Sequence, residues 1–473
     1  MDKETFRKHG YEFIDWVADY LENVGEYRIC PDVRPGEIKQ KLPKEAPGKG
    51  ESLDIIFNDF KRKIFPGMTH WQHPSWFAYF PANNSPPSVL AELLTAGMGA
   101  QCMIWETSPA AAELEEVVME WLKSMLALPK GMTGVIQDTA STSSLVALLT
   151  AREKATGFES NVKGFKEPLV IYCSEESHSS VEKGAKIAGF GKENIRHIPT
   201  DKDYAVLPGE LEKSIFEDMN KGLKPCCVVA TVGTTSSSAI DPLDKIGEIC
   251  KRYNIWLHVD AAYAGTASVL PEKRWMFKGI EYADSFVFNP HKWMLTNFDC
   301  SAYFVKEPDL LVRTFEIHPE YLKTGVDSQV KNYRDWGIAL GRRFRALKLW
   351  FVLRYYGIEG IQEMVRKHIE LAQSFKDKVE GSPSFELMAP VPLSLVCFRL
   401  NDGSSEGELN RMNRRLLEAV NQTGKLHMTH TTLKGKYVIR LCVASRTTEK
   451  QDVERAWELI DEKAREILTP SST

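Results

Sequence analysis

The sequence predicts an α/β fold: a mostly parallel central sheet covered by helices on both faces, with a helical segment before it and a small α+β domain after it. Three observations carry this. Between residues 169 and 306, short runs rich in β-branched residues alternate with helical stretches. Those runs are apolar at nearly every position, as strands buried on both faces are. Outside this zone the pattern turns to amphipathic helices, alone before residue 82 and mixed with strands after about residue 357. The predicted divisions are 1–82, an N-terminal helical segment, 83–357, a large domain, and 358–473, a small domain.

In the first division Phe6, Phe13, Val17, Tyr20, Leu21 and Val24 fall on one helical stripe. A Pro/Gly/Lys-rich link follows, then a second helix with Ser52 as its N-cap. Two short helices cannot bury both their sides alone, so this segment is expected to dock on something large, a second subunit being one candidate. In the large division "LVIYCS" (169–174), "CVVATVG" (227–233), "IWLHVDAAY" (255–263), "SFVFN" (285–289) and "SAYFVK" (301–306) read as buried strands. Between the second and third lies "PLDKIGEICKRYN", with Leu243, Ile246, Ile249 and Cys250 on one helical face. In the last division a helix over 358–379 precedes the strand "LSLVCFRLN", a helix from about 407, and the strand "KYVIRLCV". A final helix starts near Thr448, with Gln451 completing a capping box.

Bulk properties exclude several classes. The 473 residues are 43% hydrophobic and 26% charged with a net charge of -4, which leaves no basic footprint for nucleic acid. The first residues alternate apolar and charged side chains, unlike a signal peptide, and no run is long enough to span a membrane. Nine scattered cysteines without a C-x-x-C fit reduced thiols in a cytoplasmic enzyme.

The polar residues that follow the strands form a pattern. The runs end in Glu175-Glu176-Ser177-His178, in Gly233-Thr234-Thr235, in Asp260-Ala261-Ala262-Tyr263 and in Asn289-Pro290-His291-Lys292. In a parallel sheet these ends share one edge, where ligands bind. A lysine is seldom buried without a partner, yet Lys292 lies between "SFVF" and "WML". Ahead of them, "GVIQDTASTSSLVALLTAR" (134–152) is an apolar run, a cluster of small hydroxyl residues and a helix, a start suited to an oxyanion. It lacks both the Walker and the dinucleotide glycine patterns. A phosphate site, a buried acid, a stacking ring and a lysine have one economical explanation, pyridoxal 5'-phosphate. Lys292 would bond it, Asp260 would keep its pyridine nitrogen protonated, His178 would stack on it, and Ala262 is small enough to let the ring lie flat. Its phosphate would meet the helix start at 139–142, near Asn289 and His291.

Taken singly, each residue has a plainer reading: a solvated lysine, an N-cap aspartate, a capping histidine. Their ordered appearance on successive strand ends argues against all of these at once. Gly403-Ser404-Ser405-Glu406-Gly407 matches G-x-S-x-G, but Ser405 with Glu408 fits a capping box better than a nucleophile. The pairs His70/His73 and His427/His430 lack the glutamate of a zincin, so no metal is expected.

Longer stretches carry a resemblance. "PDVRPGEI", "PGMTHWQHPSWFAYFPA", "SPAAAELE", "HSSVEK", "WLHVDAAYAG", "ADSFVFNPHKW", "NFDCSA", "LGRRFRALKLWFVLR" and "IRLCVASRTTE" together span nearly the whole chain. They resemble the pyridoxal-phosphate-dependent group II amino-acid decarboxylases, in the aromatic-L-amino-acid decarboxylase branch. The resemblance implies the aspartate-aminotransferase-like type I fold, and a homodimer whose N-terminal helices wrap the partner and whose active sites are shared. It implies that Lys292 bonds the cofactor, Asp260 pairs with the pyridinium, His178 stacks, and Ala140, Ser141, Asn289 and His291 contact the phosphate. Thr235 would lie near cofactor and substrate. Tyr321 in "HPEYLKTG" would be the proton donor on a closing loop. Trp71, Tyr79, Phe80 and Pro81 would wall the substrate pocket, with Gly341 leaving room for a bulky ring. The implied reaction is decarboxylation of aromatic L-amino acids such as Phe, Tyr, Trp or dihydroxyphenylalanine. An aromatic aldehyde synthase goes with Phe at the loop tyrosine or Asn at the stacking histidine. Histidine decarboxylases often have Ser at position 341. Tyr321, His178 and Gly341 favour neither.

Overall fold

The computed structural model describes residues 1–317, 325 and 329–469. They form two compact units: one comprises Met1–Pro81, Ser374–Glu386 and the chain from Phe398 onward, the other Ala82–Gln373 and Leu387–Cys397.

The larger unit is built on a seven-stranded sheet of β1 (Thr133–Gln137), β2 (Leu169–Ser174), β3 (Ile195–Ile198), β4 (Lys224–Thr231), β5 (Trp256–Asp260), β6 (Ser285–Phe288) and β7 (Ser301–Val305). Its order is β1-β7-β6-β5-β4-β2-β3. The β3–β2, β2–β4, β4–β5 and β5–β6 pairs are parallel. Only β7 runs the other way, between β6 and β1. The reason is local: residues 289–300 turn back at the edge where β6 ends instead of crossing a face of the sheet, and a parallel return needs a crossover. The five predicted strands appear as β2 and β4 to β7. The amphipathic β3, with two of its four residues buried, was not anticipated.

Register brings the functional ends level. Thr231 pairs with Asp260, and Asp260 pairs with Val287. The helix Ala140–Thr156 follows β1 and is buried along most of its length. Its Val146, Ala147 and Ala151 share a core with Ile171, Val229, Trp256 and Val287. Val146 contributes about 1.5–3 kcal/mol by leaving water, and each alanine methyl about 0.8 kcal/mol, so the helix start is held by a deep anchor. The predicted face of the helix Leu243–Tyr253 is buried at Leu243, Ile246, Ile249 and Cys250.

In the smaller unit Ser52 caps the helix Leu53–Asp59 by accepting from the Ile55 N–H at 3.4 Å. The stripe on the helix Lys3–Asn23 is only partly covered: Phe13 meets Phe57 at 4.6 Å, whereas Phe6 is 68% exposed. A second sheet, of order β10-β11-β9-β8, contains β8 (Phe385–Leu387), β9 (Leu395–Leu400), β10 (Thr429–Leu433) and β11 (Lys436–Cys442). The helix predicted over 358–379 is the second half of Arg345–Glu380, which breaks at Gly357, where φ is 64°. The last helix is capped one residue later than predicted, by Glu449 with Asp452. The Thr448 hydroxyl is turned instead toward the Pro74 carbonyl, to which it donates at 2.6 Å.

Candidate active site

Asp260 ends β5 and is buried. Its Oδ1 accepts from the Ala262 N–H at 2.9 Å, and its carbonyl accepts from the Val232 N–H at 2.9 Å. The Ala262 carbonyl in turn accepts from the Asn289 N–H at 3.0 Å. The acid, the small residue after it and the end of β6 are thus laced together. Gly233 opens the turn that leads to Thr235 at φ 82°, and a Cβ there would lie 2.6 Å from that of Ala264. Only glycine combines that backbone with that approach.

Lys292 lies in the four-residue helix Pro290–Trp293. Trp293 is fully buried, stacks on Tyr263 at 4.5 Å and donates its indole N–H to His368 Nδ1 at 2.9 Å. His291 Nδ1 accepts from the Cys300 N–H at 2.9 Å, so in the neutral ring the proton sits on Nε2, ready to donate. Burial lowers the His291 pKa to about 3, with the Lys292 charge acting in the same direction. His291 is therefore a neutral donor at physiological pH.

His178 precedes the helix Ser180–Ile187 and is solvent-exposed at the sheet edge. Its Nδ1 accepts from the Ser180 N–H at 3.2 Å. Partial desolvation still lowers its pKa; Asp260 opposes the shift and Lys292 adds to it. The charges of Asp260 and Lys292 both reach this ring, so the structure brings the three predicted residues together.

Thr139 caps the helix Ala140–Thr156, its hydroxyl accepting from the Thr142 N–H at 3.4 Å. The first-turn N–H groups of Ala140 and Ser141 have no acceptor inside the helix. Ser143 Oγ lies 3.2 Å from Ser301 Oγ, next to the Cys300 whose N–H reaches His291. Asn289 is buried, and its Oδ1 has no partner among the described residues. Gly341 lines a cleft of about 230 Å³ with Asp138, Thr142, Trp336 and Arg345, beside that same helix start.

The other predicted residues fall in the smaller unit or outside the described residues. Trp71, Tyr79, Phe80 and Pro81 belong to the smaller unit. There Trp71 stacks on Tyr79 at 5.6 Å and meets Trp76 at 4.7 Å, while the Arg440 guanidinium lies over Phe80 at 5.6 Å. Tyr79 has a left-handed backbone, φ 54°, and is half exposed. Tyr321 lies outside the described residues. Ser405 and Glu408 form a capping box, as expected. The histidine pairs occupy unlike settings: His73 holds the Ser75 N–H and the Gly25 carbonyl, and His430 stacks on Tyr437. Sequence reasoning missed Asn83, whose Nδ2 donates to the Lys292 carbonyl at 2.8 Å. It also missed His258, buried between Ser144 and Ser285. No local signal marks either, since Asn83 sits in a stretch that reads as a turn.

The Pyridoxal-dependent decarboxylase conserved domain matches residues 35–401. The chain belongs to the pyridoxal-dependent decarboxylase family. It is 44% identical to tryptophan decarboxylase 2 of Oryza sativa subsp. japonica, over 99% of this chain and 96% of that one. It is also 44% identical to phenylacetaldehyde synthase of Arabidopsis thaliana, over 99% and 97%. The crystal structure of Oryza sativa TDC with PLP and tryptamine superposes with a TM-score of 0.96 at 36% identity, covering 99% of both chains. The fold is the type I fold of these decarboxylases, the activity is that of a carbon–carbon lyase, and the cofactor is pyridoxal 5'-phosphate.

The residues present fit that group. An amine at Lys292 suits its aldehyde, and a buried carboxylate at Asp260 suits its pyridinium. Two open N–H groups, the Ser141 hydroxyl and the His291 Nε2–H suit a phosphate dianion. Asn289 beside them is buried, and its Oδ1, an acceptor with no partner among the described residues, is the kind of polar atom that a donor on a ligand satisfies.

Proposed function

We propose that this decarboxylase acts on aromatic L-amino acids and releases the arylalkylamine and CO2. The observation that carries the reading is the convergence of His178, Asp260 and Lys292 at one sheet edge, beside an open helix start. It occurs in a chain similar over its whole length to enzymes named for tryptophan and phenylacetaldehyde. Bound pyridoxal phosphate supplies an electron sink for the pair released when the Cα–carboxylate bond breaks.

This chain's residues do the rest. Lys292 would hold the cofactor through its amine. Asp260 keeps a proton on the pyridine nitrogen. Ala140, Ser141, Asn289 and His291 anchor the phosphate, and Thr235 lies near cofactor and substrate. His178 covers one ring face, its exposure leaving that side open to a flat partner. Ala262 keeps the other face flat. Trp71, Tyr79, Phe80 and Pro81 would offer aromatic walls to the substrate ring, and Gly341 would leave room for a bulky one. Tyr321, outside the described residues, would deliver a proton to the substrate carbon.

The same reading makes the protein a homodimer with shared sites, in which the N-terminal segment of about 82 residues is the dimerisation element. Exposed apolar side chains support it: Phe6 and Tyr11 on one helix, Leu93, Leu94 and Met98 on the helix Pro86–Met98. Nine free thiols support a reducing, cytoplasmic setting. No helix among the described residues is long and apolar enough to cross a membrane.

The test is product identification by mass spectrometry, with Phe, Tyr, Trp, dihydroxyphenylalanine and His offered separately to the cofactor-loaded protein. Amine equal to CO2 from the aromatic substrates is expected. Aldehyde with ammonia and peroxide would assign the chain to the aldehyde synthases, and amine from His alone to the histidine decarboxylases.

A further inference from the structure

We propose that Asn83, with Ser85 and Ser88, is a positioning clamp that sets the direction of Lys292, an inference that rests on reading Lys292 as the cofactor-bonding lysine. The turn that carries Lys292 is short and leaves carbonyls that its own N–H groups do not reach. Its helix, Pro290–Trp293, has four residues, fewer than nucleation in isolation requires. Its internal closures use only two carbonyls: the Lys292 N–H donates to Asn289 at 2.9 Å, and the Met294 and Thr296 N–H groups donate to Pro290 at 3.1 and 3.4 Å. The carbonyls that follow are helix-end acceptors needing outside donors.

Those donors come from the segment just ahead of the helix Pro86–Met98. Asn83 Nδ2 donates to the Lys292 carbonyl at 2.8 Å. Ser85 Oγ donates to the carbonyl of Leu295, a residue held at φ 54°, at 2.7 Å. The Asn297 N–H donates to Ser88 Oγ at 3.3 Å. Asn83 is 1% exposed, and Ser85 and Ser88 are fully buried. The serines are themselves locked: the Ser85 N–H donates to Ser88 Oγ at 3.1 Å, and Ser88 Oγ donates to the Ser85 carbonyl at 2.9 Å. The clamp is thus a rigid helix start, and it grips the turn at residues 292, 295 and 297.

The chemistry at position 83 is specific. A carbonyl only accepts, so the side chain facing it must donate. Aspartate has the same shape but sets an acceptor against an acceptor, and alanine leaves the carbonyl unpaired. Either change frees the 292–293 peptide to rotate, and the Cα–Cβ direction of Lys292 rotates with it.

The test compares Asn83→Ala and Asn83→Asp with the wild-type full chain, first without cofactor and then after adding pyridoxal phosphate. Backbone amide exchange over residues 292–297 is expected to be about 10-fold faster in the cofactor-free variants, with β4 to β6 unchanged, because one buried hydrogen bond is lost. The visible band of lysine-bound cofactor is expected to form about 10-fold more slowly, and most slowly in Asn83→Asp. A merely structural asparagine would leave the rate of band formation at the wild-type value. Should Asn83→Asp fail to fold, Ser85→Ala removes the grip at Leu295 and carries the same two expectations. Wild-type exchange and wild-type band formation in the folded variants would overturn the clamp. A band that persists in Lys292→Ala would overturn the reading of Lys292 and the positioning role with it, a failure distinct from that of the clamp.

Discussion

The helix start at Ala140 and the turn that carries Lys292 meet at one sheet edge, but they hold their shapes by different means. The first opens a 17-residue helix whose small and apolar side chains are buried against the sheet. Its shape is self-supporting, and its chemistry is mostly backbone N–H. The second is a four-residue helix followed by a left-handed Leu295, held by side chains more than 200 residues earlier in the chain. Its chemistry belongs to two side chains, His291 and Lys292. A backbone site tolerates side-chain changes that do not oppose its charge. A side-chain site depends on whatever aims the side chain.

The acid beside both segments is the largest lever. Asp260→Asn keeps the shape and removes the charge, so kcat is expected to fall by about 10²–10³-fold, with thermal stability and circular dichroism near wild type. A loss of less than threefold in steady-state assays would remove Asp260 from the mechanism.

Next is the helix start. Ser141→Asp places a carboxylate among first-turn N–H groups, where it stabilises the helix by about 0.3–1 kcal/mol. It also repels a phosphate. The cofactor-free protein should melt no lower than wild type, while the cofactor dissociation constant rises about 10-fold. Titration by fluorescence quenching measures this. Equal affinity would place the phosphate elsewhere.

The turn differs from the helix start in carrying a buried imidazole, whereas residues 139–142 have no titratable side chain. The folded His291 pKa, near 3, lies below the ordinary value of 6.5. Between those values the unfolded chain binds a proton that the folded chain does not. Stability from this group is therefore fully present above about pH 6.5 and is lost as pH falls toward 3. His291→Gln should flatten the pH dependence of unfolding free energy over that range by about 1.4 kcal/mol per unit at most. Denaturant melts at pH 5 and pH 7 would show it, and an unchanged slope would mean that the ring is not held neutral.

The smallest expected effect belongs to the smaller unit. Ser405→Ala removes one half of a capping box and should cost about 1 kcal/mol, with turnover unchanged. Lost turnover at wild-type stability would revive the nucleophile that the G-x-S-x-G pattern suggested.

Legibility in the sequence follows the same division. β2 and β4 to β6 could be read because strands buried on both faces are apolar throughout, and the residues after them stood out as polar. β3 escaped because its middle residues face solvent. The direction of β7 escaped because hydrophobic pattern carries no polarity. The final helix was read one residue early because nothing local tells that the Thr448 hydroxyl is used by Pro74. Lys292, Asp260 and His178 were legible as residue types at strand ends. Asn83 was not, since its importance exists only once the chain brings two distant segments together.

The central claim is that Lys292 at this sheet edge bonds the cofactor. The most direct measurement is borohydride reduction of the cofactor-loaded protein, followed by digestion and peptide mass spectrometry. The expected result is one modified tryptic peptide, residues 279–306, with the cofactor mass on Lys292. The same mass on another lysine, Lys348 for example, or on none, would contradict the account.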